Sequence, residues 1–337
     1  MTGAIPLTLP IGAAAIVKVL DRLMEIILHA GAHRTSTTSF QDYLRNNAAA
    51  IEATGTTVWN PRRTRKQLFP GLFPGPHAAR GRDLRKRAEG RVRMHLELAR
   101  AAGVKRLLVT EENVIGTPRQ CVKARTLYPA LGERMARIYA AFDGRIDRIV
   151  LSIRAQDLWW ASAMAYGAAR GHSLPDREGL AQIAEDPRSW RDVITDLACA
   201  MPQAQILVLP FEHFAGRARD VFQIATGQAC PATPDTRWLN RAPDLAQLNT
   251  LLAERGATPP LAHHGTGDRW QPFDAAQQAR LREAYADDLF WLTAGADGLA
   301  TLTEDPTRTR AGTSLPPRVM TKGHDDDIEE RHLARSG

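Results

Sequence analysis

The chain has 337 residues, of which 44 are Lys or Arg and 37 Asp or Glu, for a formal charge of +7; 44% are hydrophobic and 24% charged. That length and balance allow one large domain or two small ones with ample core, and exclude a wholly disordered, collagen-like or coiled-coil chain. No run of about 18 residues is free of both charge and proline, so no membrane span is expected. The cysteines, Cys121, Cys199 and Cys230, stand far apart without CxxC spacing, so neither a disulfide framework nor a thiolate metal site is expected, and a reducing, cytoplasmic setting is the default.

In chain order, residues 1–23 are apolar but carry two prolines and Lys18 with no basic stretch before them, which is not a signal-peptide pattern. Met24 reads as the natural start of the domain, with 1–23 an extension. Glu25–His29 is the first strand candidate, followed by a loop and a helix over Thr38–Ala50. Residues 61–93 then hold 11 Lys or Arg against only Asp83 and Glu89, a net of +9, so the rest of the chain sums to −2. The protein is not basic; one segment of it is, and a nucleic-acid reading resting on overall charge loses its force. That segment reads as a loop and an Arg-rich helix over Leu84–Ala102, a basic rim for an anionic ligand or acceptor, or simply a solvated face.

Further strands are expected at Arg106–Thr110, Arg148–Ile153 and Gln205–Leu209. Further helices are expected at Leu127–Phe142, Leu158–Arg170, Trp190–Met201, Leu245–Arg255 and Ala275–Thr293. Short Ile/Leu/Val runs spaced by helices imply βαβ crossovers and a parallel sheet covered on both faces, a three-layer α/β/α architecture. Residues 24–300 read as one domain and 303–337 as a solvated, disordered tail.

The loop after the first strand, Gly31-Ala32-His33-Arg34-Thr35-Ser36-Thr37-Thr38, combines small residues, hydroxyls and one cation ahead of a helix N-terminus. Backbone amides, the helix dipole and a guanidinium would converge there on an anion. The same residues also suit an ordinary βα loop whose hydroxyls cap the helix. The Gly-Lys-Ser/Thr of a nucleoside-triphosphate loop is absent.

GAHRTSTTSFQ resembles the 5′-phosphosulfate loop of the sulfotransferases that use 3′-phosphoadenosine 5′-phosphosulfate (PAPS), whose pattern is close to G-x-x-K-T-G-T-T-x-x-Q. Arg34 stands where that family has Lys, and Ser36 where it has Gly. The family's 3′-phosphate site is an Arg at a later strand end and a Ser eight residues on. Arg154, ending RIVLSIR, and Ser162 in the next helix fit that spacing. Glu111-Glu112-Asn113 after the third strand resembles the family's S-S-E-N stretch.

The resemblance spans about residues 24–293 and implies a P-loop-like fold. Gly31, His33, Arg34, Thr35, Ser36, Thr37, Thr38, Arg154 and Ser162 would bind PAPS as co-substrate. Arg34 and Glu112 would be catalytic, with Glu112 the general base and Glu111 second choice. No metal is implied. The acceptor would be a small molecule or a hydroxyl on a carbohydrate or glycolipid, in a cytoplasmic bacterial enzyme without nucleic-acid partners. A non-catalytic nucleotide-binding module of the same fold and a P-loop-like kinase are the alternatives. Weaker likenesses place Glu212 as an orienting carboxylate and bring His264 or Arg269 to a phosphate. Trp159 or Trp160 is expected to meet a sugar or adenine face, the other to be core.

Overall fold

All four apolar runs read as strands are strands. In the computed structural model, which describes residues 24–73, 84–229, 238–256 and 262–304, they are β1 (Glu25–His29), β3 (Arg106–Thr110), β4 (Arg148–Ile153) and β5 (Gln205–Pro210). Two short strands join them, β2 (Thr56–Trp59) and β6 (Thr301–Leu302), giving the order β2-β3-β1-β4-β5-β6 with every neighbouring pair parallel. Both additions are edge strands. Four and two residues long, and partly exposed, they lack the apolar run that marks the central strands.

The period-two geometry of a strand sends alternate residues to opposite faces, and two cores result. Ile26, Leu28, Leu107, Val109, Ile149 and Leu151 face one side; Ile27, Leu108, Val150 and Leu209 face the other. Among the described residues the α-helices of six residues or more are α1 (Thr37–Asn46), α2 (Ala48–Ala53), α3 (Leu84–Ala101), α4 (Pro118–Ala124), α5 (Leu131–Ala141), α6 (Gln156–Ala168), α7 (Arg177–Glu185), α8 (Trp190–Ala200), α9 (Ala218–Thr226), α10 (Leu245–Ala253) and α11 (Ala275–Thr293). The first core packs under α3, α5, α6 and α8, and the second under Phe40, Tyr43 and Leu44 of α1 and Phe222 and Ala225 of α9. This is the expected three-layer α/β/α arrangement.

Two helix boundaries depart from the expectation by more than two residues, and local residues account for both. The helix expected over 38–50 breaks at Asn47, whose φ is −111° and whose side-chain amide donates to the Tyr43 carbonyl at 2.8 Å. The helix expected from Leu127 begins only at Leu131, because Tyr128 takes a φ of +43° to bury its ring and Pro129 follows. Helices α4, α7 and α9 are additions; Thr117 and Asp176 cap the first two through side-chain oxygens.

The described residues as far as Thr303 form one compact unit. The 303–337 tail was expected to start at Thr303, but its amide donates to the Val208 carbonyl at 2.8 Å and continues the sheet edge. Residues 1–23 and the tail from 305 lie outside the described residues. No helix among the described residues is long and apolar enough to cross a membrane.

Leu28 is fully buried on the central strand β1. Leu28→Ala should cost about 2–5 kcal/mol in urea unfolding; a loss below ~1 kcal/mol would mean that the larger core is not packed as described.

Candidate functional site

The strand order reverses direction at β1, which lies between β3 and β4. In open parallel sheets the crevice at such a point, off the C-terminal strand ends, collects ligands. Here those ends deliver the 30–36 loop, the Glu111-Glu112 turn and Arg154.

The loop holds three left-handed residues: Gly31 at φ +57°, Arg34 at +66° and Ser36 at +67°. Only glycine fits the first, because a Cβ there would lie 2.2 Å from Thr37 Cγ2. Ser36 adopts the conformation that the family pattern gives to glycine, at a cost of about 1–2 kcal/mol for an L side chain. As the N-cap of α1 it makes no side-chain capping bond, so it leaves the first-turn amides uncapped by its hydroxyl.

Four donors hold the strained path. Thr35 Oγ1 donates to the Ala32 carbonyl at 2.6 Å, and Trp159 Nε1 to that of His33 at 2.7 Å. The His33 amide donates to Tyr128 Oη at 3.0 Å, and Arg154 Nη1 to the Arg34 carbonyl at 3.0 Å.

A cavity of about 900 Å³ opens over this loop. His33, Arg34, Ser36, Thr37, Thr38, Glu112, Arg154 and Ser162 all line it. Gly31 and Thr35 lie off the cavity lining, one shaping the loop and the other bonded within it.

Arg34 does not fold back onto its own loop. Its Nε donates to Ser162 Oγ at 3.0 Å, its Nη1 to the Asn240 carbonyl at 2.8 Å, and its guanidinium sits 4.6 Å from the Tyr166 ring centre. Ser162, expected to serve Arg154, therefore faces Arg34, and the two expected anion sites adjoin. Arg154 is buried over Phe211, with its Nε unpartnered among the described residues. Burial lowers the pKa of both guanidiniums to about 10, helped at Arg154 by nearby Arg269, and both stay cationic at neutral pH.

The two carboxylates play different parts. Glu111 is 1% exposed and accepts from Arg65 Nε and Nη2 at 2.7–3.0 Å, from Thr64 Oγ1 at 2.6 Å and from the Asn113 amide at 3.0 Å. Its oxygens are fully engaged and it lies off the cavity lining. Glu112 reaches the cavity, with Arg65 Nη2 on one oxygen at 2.9 Å and Gln41 Nε2 on the other at 2.8 Å. Burial pushes its carboxyl up, but Arg65, a backbone amide, His33 and Gln41 outweigh that and hold it below its usual range. Burial lowers the pKa of His29, at the end of β1 against Thr110 Oγ1 at 3.1 Å, to about 4, and lowers that of His33 in the loop as well. His29 is fully buried and off the main cavity.

Of the weaker expectations, Arg269 lines the cavity and His264 does not. Glu212 orients its neighbours by accepting from the Ala155 amide at 3.0 Å and Tyr285 Oη at 2.8 Å. Trp159 and Trp160 are both core, so neither offers a face to a ligand.

Sequence reasoning missed Arg65, Gln41, Tyr166, Arg170 and the Trp238–Asp244 wall. Gln41 had a signal, as the closing Gln of the loop pattern; the others had none. Arg170 lies 3.4 Å from the Tyr166 ring centre, opposite its bond to Asn240 Oδ1 at 3.3 Å. Arg34, Arg154, Arg170, Arg241 and Arg269 thus line one cavity, and none makes a salt bridge among the described residues. Such a cavity favours a multiply charged anion. No group of His, Cys, Asp and Glu suited to a metal occurs among the described residues.

Arg65→Met leaves Glu111 buried and Glu112 half-solvated without their cation. Because Arg65 is itself 44% exposed, the expected loss at pH 7 is roughly 1–3 kcal/mol, below that for a fully buried pair. The depressed Glu112 carboxyl stabilises above its unfolded pKa and loses that contribution as pH falls through its folded value, so the gap to the native protein should narrow as the pH is taken below the ordinary carboxylate range. A pH-independent gap in chemical unfolding would show that the ion pair is not its source.

No protein-family model and no curated protein matches this chain.

Proposed function

We propose that the chain is a PAPS-dependent sulfotransferase. The observation that carries this reading is the convergence of the strained loop, Arg34, Arg154 and the Glu112 carboxylate on one cavity at the strand ends. The donor suits these residues. Its phosphosulfate would take the α1 first-turn amides with Thr37 and Thr38, and its 3′-phosphate would take Arg154, whose buried Nε has a donor hydrogen to spare.

In the transfer, the acceptor oxygen bonds to sulfur as the bond from sulfur to the bridging phosphate oxygen breaks. The hydroxyl proton passes to Glu112, and the bisphosphate leaves with the bond's electron pair. Glu112 is ionised and ready to accept, and Arg65 and Gln41 fix its direction. Its low basicity makes it a weak base, so positioning and charge stabilisation must supply most of the acceleration. The acceptor is a hydroxyl compound, with a carbohydrate or glycolipid the leading class, and the setting is cytoplasmic.

One observation favours a second reading, a nucleotide-binding module without turnover. Arg34, the loop's cation, is engaged by Ser162, Asn240 and Tyr166 and is turned from the loop.

Adenosine 3′,5′-bisphosphate should raise the melting temperature of the protein, and ATP should do so less. Arg154→Ala should weaken bisphosphate binding about 10–100-fold, as expected for a charge-assisted hydrogen bond of ~1.5–3 kcal/mol. Stabilisation by ATP alone would overturn the donor assignment. Bisphosphate binding without sulfuryl transfer to any pool of hydroxylated acceptors would favour the binding module.

A further inference from the structure

Among the described residues five large hydrophobic side chains are exposed, and three of them lie on α3: Leu84 (48%), Met94 (53%) and Leu98 (57%). With Arg87 and Arg91 they recur at the three- and four-residue steps of one helix stripe, and Met94 and Leu98 are direct neighbours on it. That stripe is not the one that holds the helix to the protein. Ala88, Val92 and Leu96 do so, packed in the larger core.

The charge around the stripe has one sign. The helix carries Arg85, Lys86, Arg87, Arg91, Arg93 and Arg100 against Glu89 and Glu97 alone. Both carboxylates are already engaged: Glu89 by Arg85 at 3.3 Å and Arg93 at 4.0 Å, Glu97 by Arg100 at 3.1 Å and Arg145 at 3.5 Å. Arg91 turns to the Leu68 and Pro70 carbonyls. Lys86 and Arg87 are exposed and have no ion-pair partner among the described residues.

The helix is also placed end-on to the cavity. Its first residue packs on Gly71, where a Cβ would lie 2.7 Å from that of Leu84, and Gly71 belongs to the stretch whose Arg65 holds Glu111 and Glu112. Its last turn leads into β3, which starts at Arg106. So α3 runs antiparallel to β3, with its cationic first turn toward the end of the sheet that carries the cavity.

We infer that this face of α3 docks on an anionic lipid surface, with Met94 and Leu98 entering the boundary between headgroups and acyl chains and Lys86, Arg87 and Arg93 meeting lipid phosphates. Aliphatic side chains on one stripe of a helix, with cations beside them, are what binding in the plane of such a surface requires. A nucleic acid would meet the same cations but gain nothing from two adjacent exposed aliphatic side chains. Two such side chains bind weakly, and so do a few cations, so the docking needs both and is reversible. It does not rest on the sulfotransferase reading. Docked in this way, the chain is held at a membrane by a surface helix, without any segment that spans it.

The test is co-sedimentation of the full chain with vesicles. Vesicles of equal parts phosphatidylglycerol and phosphatidylcholine should bind it about tenfold or more tightly than phosphatidylcholine alone, and less so as salt is added. Met94→Gln with Leu98→Gln keeps every charge and should weaken that binding about tenfold, as should Lys86→Glu with Arg87→Glu. All four side chains are exposed, so both double variants should melt with the native protein. Arg119→Glu with Lys123→Glu, the same change of charge on exposed residues of α4, should weaken binding less than about threefold. Equal binding to the two kinds of vesicle, or to native protein and both α3 variants, would overturn the proposal. An equal loss from the α4 pair would reduce the attraction to net charge and overturn the site. Tight binding of single-stranded RNA that the glutamine variant retains, while its vesicle binding is also retained, would overturn the lipid assignment in favour of a nucleic-acid surface. The bisphosphate melting shift tests the donor reading separately and should be the same in every variant.

Discussion

Everything at the strand ends depends on how the backbone between Gly31 and Ser36 is held. Three left-handed residues in six form a path that no isolated peptide would keep, since each non-glycine costs about 1–2 kcal/mol. The fold keeps it by burying partners around it: the indole of α6 and the guanidinium at the end of β4 donate to loop carbonyls, and the phenol before α5 accepts from the His33 amide. All three bonds run to the loop main chain and none to the side chains of Ser36, Thr37 or Thr38. That choice leaves Ser36, Thr37 and Thr38 facing the cavity and makes the geometry tolerant of Ser where glycine would be easier. It also couples the loop to Arg154 and Tyr128, so the arginine-lined cavity and the neighbouring apolar cavity that Tyr128 walls share one support.

The Arg65 triad works in the opposite sense, by concentrating charge rather than strain. Two adjacent carboxylates at one strand end would repel and raise each other's pKa if left alone. Arg65 spans both, with Glu111 as its buried anchor and Glu112 as the arm that reaches the cavity. The consequence is a carboxylate fixed in direction but lowered in basicity. A site built this way gains more from alignment than from proton affinity, which suits a transfer whose transition state asks the protein mainly to position groups and offset charge.

The central sheet was legible because its strands, buried on both faces, are written as uninterrupted Ile/Leu/Val runs. RLLVT, RIVLSI and EIILH could hardly be anything else. TTVW and TL could not be read, since an edge strand needs neither face fully apolar. The loop and Arg154 were legible because local chain geometry brings such residues to strand ends. Arg65 was hidden for the converse reason: its partners lie 46 and 47 residues away in sequence, and nothing in a run of arginines marks which one is internal. The expectation that one of Trp159 and Trp160 meets a ligand failed on the same ground, since both are core. Beside a phosphate loop an indole can stack on a ligand or donate to the backbone, and only the structure shows the hydrogen bond to the His33 carbonyl.

The +9 segment carries the last step of the argument. Read from sequence it is a basic surface in search of an acidic partner. In the structure much of its charge is spent within the protein. Arg65 holds the carboxylate pair, Arg63 stacks 4.9 Å from the Trp59 ring centre, Arg91 donates to the Leu68 and Pro70 carbonyls, and Arg85 and Arg93 flank Glu89. The segment thus fastens α3 and the 61–73 stretch over β2 and the Glu111 turn. The cations that line the cavity come from elsewhere: Arg34 from the first loop, Arg154 and Arg170 from either end of α6, and Arg241 and Arg269 from the far wall. Net charge located the arginines that build the site's frame, whereas strand-end position located those that would touch the anion. The two sets do not overlap, so the charge that faces the cavity is set by strand-end and far-wall arginines and not by the basic segment.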